Sequence, residues 1–267
     1  MPCGASSHGP TTTSPASLSQ RISAPDYAAR AADLALRIAR ATEQSTVLTL
    51  LREGIGALGA ESAVFVSFVR DEADVSACRF MLVCEPEWCR QYLAAGLITH
   101  DLWLAYAAHH SEPVLASALQ ASQPAQQRAM DLAAQNGFAS AVLVPAHSGA
   151  GHSRVSLLCL GSSAVGFFEG DGFGPFRVSA RVLALELHEW WLARIRRELV
   201  IKSHFTPGDL ALLRHQLQGH SSKRIATELH VTKSSINSRF QRMNTKLGVA
   251  SRRTAAQLAV ECGLILT

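Results

Sequence analysis

The sequence predicts an α+β chain of two units, an N-terminal α-β-α sandwich with a central antiparallel sheet and a C-terminal all-α domain of four short helices. Three observations predict this class. Up to about residue 200, short runs of β-branched and aromatic residues alternate with helical patterns. Beyond it, the apolar residues follow the 3.6-residue helical period. The net charge also changes sign near residue 200. Residues 202–267 contain ten Lys and Arg and three Asp and Glu, whereas the rest of the chain contains fifteen Lys and Arg and eighteen Asp and Glu.

Residues 1–25 are predicted to be a disordered leader, because they are rich in Ser, Thr, Pro and Gly and nearly free of large apolar side chains. They contain no apolar segment typical of a signal peptide, and no later stretch reaches the roughly 20 apolar residues of a membrane span. A cytoplasmic protein without a membrane partner is therefore expected. The six cysteines show no paired framework, so reduced and mostly buried thiols are expected.

Residues 26–198 are predicted to form one domain with its own core. Apolar periodicity and strand-like runs predict helices at 26–40, 45–58, 86–95 and 123–136, and strands at 63–69, 79–84, 139–144 and 155–160. A glycine-rich turn at 147–152 separates the last two strands, and a glycine-rich connection at 161–175 leads into a long helix at 178–200. This helix is expected to offer a partner surface made of Val182, Leu185, Leu187, Trp190, Trp191 and Ile195.

Residues 199–204 are predicted to be a linker and 205–267 a domain of four helices. Pro207 opens a supporting helix that stops near Gly219. The two middle helices follow, the first expected to be capped by Ser222 and the second by Thr232, with a turn at His230 and Val231 between them. A last helix is expected at 254–262. This order predicts a helix-turn-helix unit.

The second middle helix has two contrasting faces. Its apolar residues form a narrow stripe that must pack against other helices: Ile236, Phe240, Met243 and Leu247. The other side is polar and carries no acidic residue: Ser234, Asn237, Ser238, Gln241 and Arg242. An element that enters the DNA major groove requires such a face. A net charge of about +7 on residues 202–267 favours phosphate contact. A solvated basic helical bundle is the alternative.

These residues resemble the C-terminal domain of the LuxR family of bacterial transcription regulators. The resemblance rests on Ile225-Ala226, on the run from Val231 to Ile236, and on Lys246-Leu247-Gly248-Val249. It implies that base edges are read by Ser234, Asn237 and Gln241, and that phosphates are held by Lys233, Arg239 and Arg242. It also implies a roughly palindromic site on double-stranded DNA, a homodimer formed through the long helix and the last helix, and RNA polymerase as a further partner.

A weaker resemblance extends to the autoinducer-binding domain of quorum-sensing LuxR proteins. It rests on Trp88, Tyr92 and Asp101, whose spacing matches the family residues that bind an acyl-homoserine lactone. It implies that the Trp88 indole N–H binds the lactone carbonyl, the Tyr92 phenol the acyl carbonyl, and the Asp101 carboxylate the amide N–H. Three further family markers differ, with Leu102 in place of Pro, Ala116 in place of Trp and Ala141 in place of Gly.

A purely structural role is the alternative for these three residues. Trp88 and Tyr92, four residues apart, could form the buried side of a helix, and Asp101 could cap the next segment. Trp103 and Tyr106 are expected to refill the pocket. We therefore expect a solo quorum-sensing or virulence regulator whose lactone recognition is lost or altered. The alternatives are a lactone-responsive regulator, a regulator controlled by a protein partner, and an enzymatic sensor domain fused to DNA-binding helices.

No catalytic or metal-binding residues are expected, and no cofactor other than a lactone or another small apolar ligand. The adjacent His109 and His110 would point about 100° apart on a helix and could not share a metal as an i, i+4 pair does. Cys84 and Cys89 lack an identifiable base, so buried thiols are expected there. The glycine-rich run at 161–174 lacks the Lys that a phosphate loop requires.

Overall fold

The computed structural model describes residues 17–70, 75–147, 154–202 and 204–265. The N-terminal helices and strands in chain order are α1 (Leu18–Ile22), α2 (Tyr27–Arg40), α3 (Gln44–Leu58), β1 (Ser62–Arg70), β2 (Val75–Val83), α4 (Pro86–Ala94), α5 (Leu102–His109), β3 (Val114–Leu115), α6 (Pro124–Ala134), β4 (Ser140–His147), β5 (Arg154–Ser162) and α7 (Phe173–Lys202). Four helices follow: α8 (Pro207–Leu217), α9 (Ser222–Glu228), α10 (Lys233–Leu247) and α11 (Arg252–Glu261).

The five strands form one antiparallel sheet in the order β2-β1-β5-β4-β3. β1 pairs with both β2 and β5, and Phe65 lies opposite Leu158 in the second pairing. Successive side chains point to opposite faces of a strand, so β1 contributes to two cores. Phe65 belongs to the core beneath α2, α3 and α7, whereas Val66 belongs to the core beneath α4, α5 and α6. The predicted α-β-α sandwich is thus confirmed.

Four helices make up the C-terminal domain, as predicted. Each is capped at its N-terminus by a hydroxyl side chain: Thr206, Ser221, Thr232 and Ser251. The buried stripe of α10 consists of the predicted Ile236, Phe240, Met243 and Leu247. The prediction that Ser222 caps α9 is wrong, because the Ser221 hydroxyl accepts the Arg224 N–H and Ser222 is the first helical residue.

The predicted leader is too long at its C-terminal end. Residues 18–22 form α1, which begins with a reciprocal capping box between Ser17 and Gln20, and Leu18 is buried. Residues 1–16 lie outside the described residues, as do residues 148–152 of the predicted glycine-rich turn. Residue 203 of the predicted linker also lies outside them, and helix α7 continues to Lys202.

The long helix α7 begins five residues earlier than the predicted start at 178, and the strand before it ends at Ser162 instead of 160. Pro175 falls in the first helical turn, where its missing N–H has no partner to lose. The expectation that the whole apolar face of α7 serves a partner is wrong. Leu187, Trp190, Trp191 and Ile195 are buried in the sandwich, and the Trp190 indole donates to the Ala41 carbonyl at 2.6 Å. None of the described helices is long and apolar enough to cross a membrane.

Candidate ligand pocket and DNA-binding surface

Trp88, Tyr92 and Asp101 meet at one cavity between the sheet and the layer of α4, α5 and α6. α4 begins at Pro86, so Trp88 and Tyr92 lie one turn apart on its buried side. Asp101 is the N-cap of α5. The cavity has a volume of about 50 Å³, and its remaining wall is largely apolar, with side chains that include Val66, Phe80, Leu82, Met130 and Leu157. The structure thus brings the three predicted ligand residues together.

Asp101 caps α5, as the structural alternative predicted, and its carboxylate also lies in the cavity wall. Its Oδ1 accepts the backbone N–H groups of Trp103 at 2.7 Å and Leu104 at 2.9 Å, which caps α5. Its Oδ2 accepts the Tyr92 hydroxyl at 2.5 Å. Burial raises the pKa of Asp101 more than these hydrogen bonds lower it, and burial beside Asp101 also raises the pKa of Tyr92. The Tyr92 hydroxyl therefore stays a hydrogen-bond donor that is directed at the carboxylate.

Two indole N–H groups at this cavity have no hydrogen-bond partner among the residues that the structure describes. The Nε1 atoms of Trp88 and Trp103 are buried, and neither meets an acceptor. The two indoles flank Phe138, whose ring centroid lies 4.9 Å from that of Trp88 and 6.2 Å from that of Trp103. Because a buried donor without an acceptor costs about 1–3 kcal/mol, a bound molecule that offers an acceptor here would be stabilised.

Trp103 lies in the cavity wall as predicted, but Tyr106 does not. The Tyr106 hydroxyl donates to the Glu112 carbonyl at 2.9 Å, and its ring stacks on His110, so its side chain is directed away. Of the three departures from the family markers, Leu102 lines the cavity. Ala116 and Ala141 are buried in the core cluster next to it. Trp103 thus supplies aromatic bulk in a domain that has Ala at the family's Trp position.

Sequence reasoning missed Phe138, which packs against both indoles of the cavity wall, and Gly161, which lies against the Phe138 ring. A Cβ at Gly161 would lie 2.4 Å from the Phe138 ring and 2.5 Å from the Gly137 carbonyl oxygen, which no real Cβ tolerates. Gly161 on β5 therefore makes room for the ring that separates the two indoles. The sequence signal was a glycine inside a strand, which often marks a close approach of other atoms.

Among the described residues, no basic or cationic side chain lowers the pKa of the thiols around the cavity. Cys89 and Cys159 line it. Burial raises the pKa of both, and it raises the pKa of the nearby Cys84 to about 12. Thiols with raised pKa values are poor nucleophiles near neutral pH. Cys159 and Cys262 are buried as expected, whereas Cys78, Cys84 and Cys89 are only half-buried.

Helix α10 presents the predicted polar face outward. The residues predicted to contact DNA that are exposed on it are Lys233, Ser234, Asn237, Ser238, Gln241 and Arg242. The turn before it contains His230 at φ 53°, a left-handed conformation that lets the chain reverse between α9 and α10. A second polar cavity lies beside α10 and the start of α8, with Thr206, Arg239, Arg242 and Lys246 in its wall. This cavity is rich in the side chains that bind phosphate.

Two arginines form hydrogen bonds between different helices of this domain. Arg239 is half-buried, and its guanidinium donates twice to Asp209 Oδ1, at 2.9 and 3.0 Å, and once to the Thr206 hydroxyl. Arg252 of α11, which the sequence did not single out, donates to Ser222 Oγ and to Asn237 Oδ1, each at 2.9 Å. Its guanidinium also lies 4.7 Å from the centroid of the Phe240 ring. Arg252 therefore links the carboxamide of Asn237 to the packed side of the helix-turn-helix.

Comparisons with known proteins agree with this architecture. The family "Autoinducer binding domain" matches residues 43–169, and "Bacterial regulatory proteins, luxR family" matches residues 203–259. No curated protein matches the chain by sequence.

Several solved structures share the fold. A structure of SdiA in complex with octanoyl-rac-glycerol has a TM-score of 0.61 at 16% identity and covers 90% of this chain and 96% of its own. A structure of Escherichia coli SdiA in space group P6522 has a TM-score of 0.61 at 16% identity and covers 91% of this chain and 100% of its own. CepR2 of Burkholderia cenocepacia is an N-acylhomoserine lactone dependent LuxR family transcription factor. Its structure has a TM-score of 0.54 at 18% identity and covers 63% of this chain and 98% of its own. With an autoinducer-binding domain followed by a luxR-family regulatory domain, this chain belongs to the LuxR family of bacterial transcription regulators.

Proposed function

We propose that this LuxR-type regulator is a solo member whose pocket has altered acyl-homoserine lactone recognition. The observation that carries the proposal is the place of Trp103, which lines a cavity of only about 50 Å³ together with Trp88, Tyr92 and Asp101. Pockets for small-molecule ligands have roughly 300–1,000 Å³. An acylated lactone would therefore have to displace Trp103, whereas a smaller ligand with a hydrogen-bond acceptor would not.

A lactone-responsive regulator is the second candidate, and a specific observation favours it. The unpartnered Trp88 indole N–H and the Asp101 carboxylate face one cavity. A neutral amphiphile that carries a carbonyl and an N–H would satisfy both. The two candidates differ in whether Trp103 can leave its position at a moderate free-energy cost.

For the DNA-binding domain, we propose that α10 enters the major groove and that Ser234, Asn237 and Gln241 contact base edges, with Ser238 beside them. Lys233 and Arg242 are exposed and are proposed to contact phosphates. Arg239 was predicted to hold a phosphate as well. Because its guanidinium is engaged by Asp209 and Thr206, we now assign it to positioning α10 against α8.

We also propose that the protein acts in the bacterial cytoplasm as a homodimer on a roughly palindromic DNA site. Its support is a stripe on α7 formed by Val178, Val182 and Leu185, which are 60%, 42% and 45% exposed. These residues lie at positions i, i+4 and i+7, so they share one side of the helix. Two copies that pack these stripes together would place two α10 helices on one DNA duplex.

The deciding experiment uses protein from a host that makes no lactone. DNA selected by the protein from a random pool is titrated with and without a panel of acyl-homoserine lactones, for the wild type and for Trp103→Val. We expect wild-type binding to DNA without any lactone and no thermal shift at low micromolar lactone. Trp103→Val should gain a lactone-dependent thermal shift, because the smaller side chain opens the cavity. A lactone-dependent wild type would instead establish the second candidate.

A further inference from the structure

Three metal-ligating side chains converge in the DNA-binding domain, far from the pocket in sequence. His215 lies in the last turn of α8, His220 lies in the loop after it, and Glu228 is the last residue of α9. The Nδ1 atoms of the two histidines are 2.9 Å apart, and they lie 3.3 and 3.9 Å from Glu228 Oε2. Among the described residues, this is the group whose ligand atoms gather closely enough to share one ion.

We propose that His215, His220 and Glu228 bind one divalent transition-metal ion of the Zn²⁺ class. Zn²⁺ binds His nitrogen and carboxylate oxygen at roughly 2.0–2.2 Å in tetrahedral sites, which places its ligands about 3.3 Å from one another. The three separations of 2.9, 3.3 and 3.9 Å lie around that value. Two imidazoles with one carboxylate form the ligand set of open zinc sites, which leave a fourth position for water.

The surroundings hold the three ligands in place. Backbone hydrogen bonding fixes the loop, since the His220 N–H donates to the His215 carbonyl at 3.0 Å. Arg224 Nε donates to Glu228 Oε1 at 2.7 Å, which leaves Oε2 directed at the imidazoles. Such an outer partner orients a ligating carboxylate, although the positive charge of Arg224 opposes a cation. Its side chain is 60% exposed, so solvent screens much of that repulsion.

The same three groups could be held without metal by a hydrogen bond between the imidazoles. The Nδ1–H of one ring would donate to the other Nδ1 and to Glu228. That arrangement keeps a proton on one Nδ1 atom, whereas metal binding needs the lone pairs of both Nδ1 atoms. Metal binding and the hydrogen-bonded pair therefore differ in measurable ways.

An ion at this location would also affect the stability of the fold. It would connect the end of α8, the following loop and the end of α9. The residues immediately after Glu228 form the turn that leads into α10. Because the ion binds the folded arrangement and not the separated ligands, it would stabilise this domain by mass action.

The test uses the full-length protein after removal of metal with EDTA, with CoCl₂ and ZnCl₂ as probes. We expect one Co²⁺ per chain with the visible absorption bands of tetrahedral Co²⁺, and displacement of these bands by Zn²⁺. At a free Zn²⁺ concentration of 100 times Kd, the Tm should rise by roughly 5 °C.

The variants are His215→Gln, His220→Gln and their double variant, with His109→Ala on the exposed end of α5 as the matched control. The double variant should lose the bands and the Tm rise, while its circular dichroism without metal matches the wild type. His109→Ala should keep both signals. An absence of binding near one equivalent per chain would overturn the site, and so would equal Co²⁺ spectra for the wild type and the double variant.

Discussion

The indole of Trp88 is a hydrogen-bond donor without an acceptor, and we expect Trp88→Phe to separate its packing from its polar role. The substitution keeps a ring beside Phe138, 4.9 Å away, and removes the unpartnered N–H. Stability should change by less than about 1 kcal/mol, because relief of the buried, unpaired N–H and the loss of packed ring volume have opposite effects. Affinity for any ligand that accepts from this N–H should fall about tenfold. Thermal unfolding and ligand titration measure the two effects.

Trp191 provides the matched control for this substitution. Its Nε1 is also buried without a partner, but it lies in the core on the opposite face of the sheet. Trp191→Phe should leave ligand affinity unchanged. If both variants lost affinity equally, the Trp88 N–H would not be a ligand contact.

Asp209 should make the DNA-binding domain lose stability as the pH falls into the acid range. Burial raises its pKa, but hydrogen bonds from Thr206 and Arg239 outweigh burial and lower it below its ordinary value of 3.8. A folded-state pKa below the unfolded value means that the stabilisation is present above pH 3.8 and is lost as pH falls through the folded-state pKa. We expect Asp209→Asn to cost about 1–2 kcal/mol near neutral pH and to flatten the loss of stability in acid.

Denaturant unfolding from neutral to acid pH measures this effect. Asp26→Asn is the control, because its ion pair with Arg30 is 52% and 63% exposed and contributes little. Equal losses for the two variants would contradict the assignment to Asp209.

At the level of helices and strands, the spacing of apolar residues predicted most of the elements, because this spacing depends on which face of an element is buried. The stripe of α10 and the pairing of β1 with β2 follow from that rule. The start of α7 does not, because Pro175 is compatible with both a loop and a first helical turn. The α9 cap was ambiguous for a related reason, since Ser221 and Ser222 are equally good caps and only geometry chooses between them.

Contacts between elements were the part of the site that sequence could not supply. Spacing within one segment placed Trp88, Tyr92 and Asp101 together, whereas Phe138 reaches them from beyond α6. Likewise, His215, His220 and Glu228 are ordinary surface residues by spacing. They meet only because the fold brings the end of α9 close to the end of α8 and to the loop that follows it. The expectation of no metal ligands rested on spacing alone.

The link between α10 and α11 should affect DNA specificity through Asn237. Arg252 donates to Asn237 Oδ1, which restricts the orientation of that carboxamide. We expect Arg252→Gln to weaken binding to the preferred DNA about tenfold and to affect substituted sites less, because an unrestrained Asn discriminates poorly between bases. Competition binding across single-base operator variants measures this discrimination.

Arg242→Ala gives the contrasting result on the same surface. Its exposed guanidinium is assigned to a phosphate, so this variant should weaken binding to all sequences alike. The slope of log K against log salt should fall by about one. Unequal losses across the operator variants would refute the phosphate assignment, and uniform losses for Arg252→Gln would refute the role given to Arg252.

At the scale of the whole molecule, the two parts of the chain carry net charges of opposite sign. The net charge of about +7 lies on the part that bears the helix-turn-helix, and about −3 lies on the rest. A negatively charged sensor domain has little attraction for DNA phosphates, so encounter with DNA should orient α10 toward the duplex. Composition alone predicted this polarity, because it needs no knowledge of contacts.

The α7 stripe should determine the oligomeric state. Val182 and Leu185 are 42% and 45% exposed on a helix whose opposite side is fixed in the core by Leu187 and Trp191. A second copy that covered the stripe would remove this apolar surface from water, at about 25 cal/mol per Å². We expect Val182→Glu with Leu185→Glu to yield monomers in sedimentation velocity and to reduce affinity for a palindromic site at least 100-fold, with half-site binding retained.

The control for this variant is Val165→Glu, which alters a residue that is 86% exposed in the connection between β5 and α7. It adds one negative charge, against two in the double variant, to the same domain without touching the stripe, so dimers and palindrome binding should persist. Dimers of unchanged stability in the double variant would move the interface elsewhere, with α11 as the next surface to test. Loss of dimers in both variants would instead attribute the effect to negative charge on the sensor domain, because only the double variant removes apolar contacts of α7.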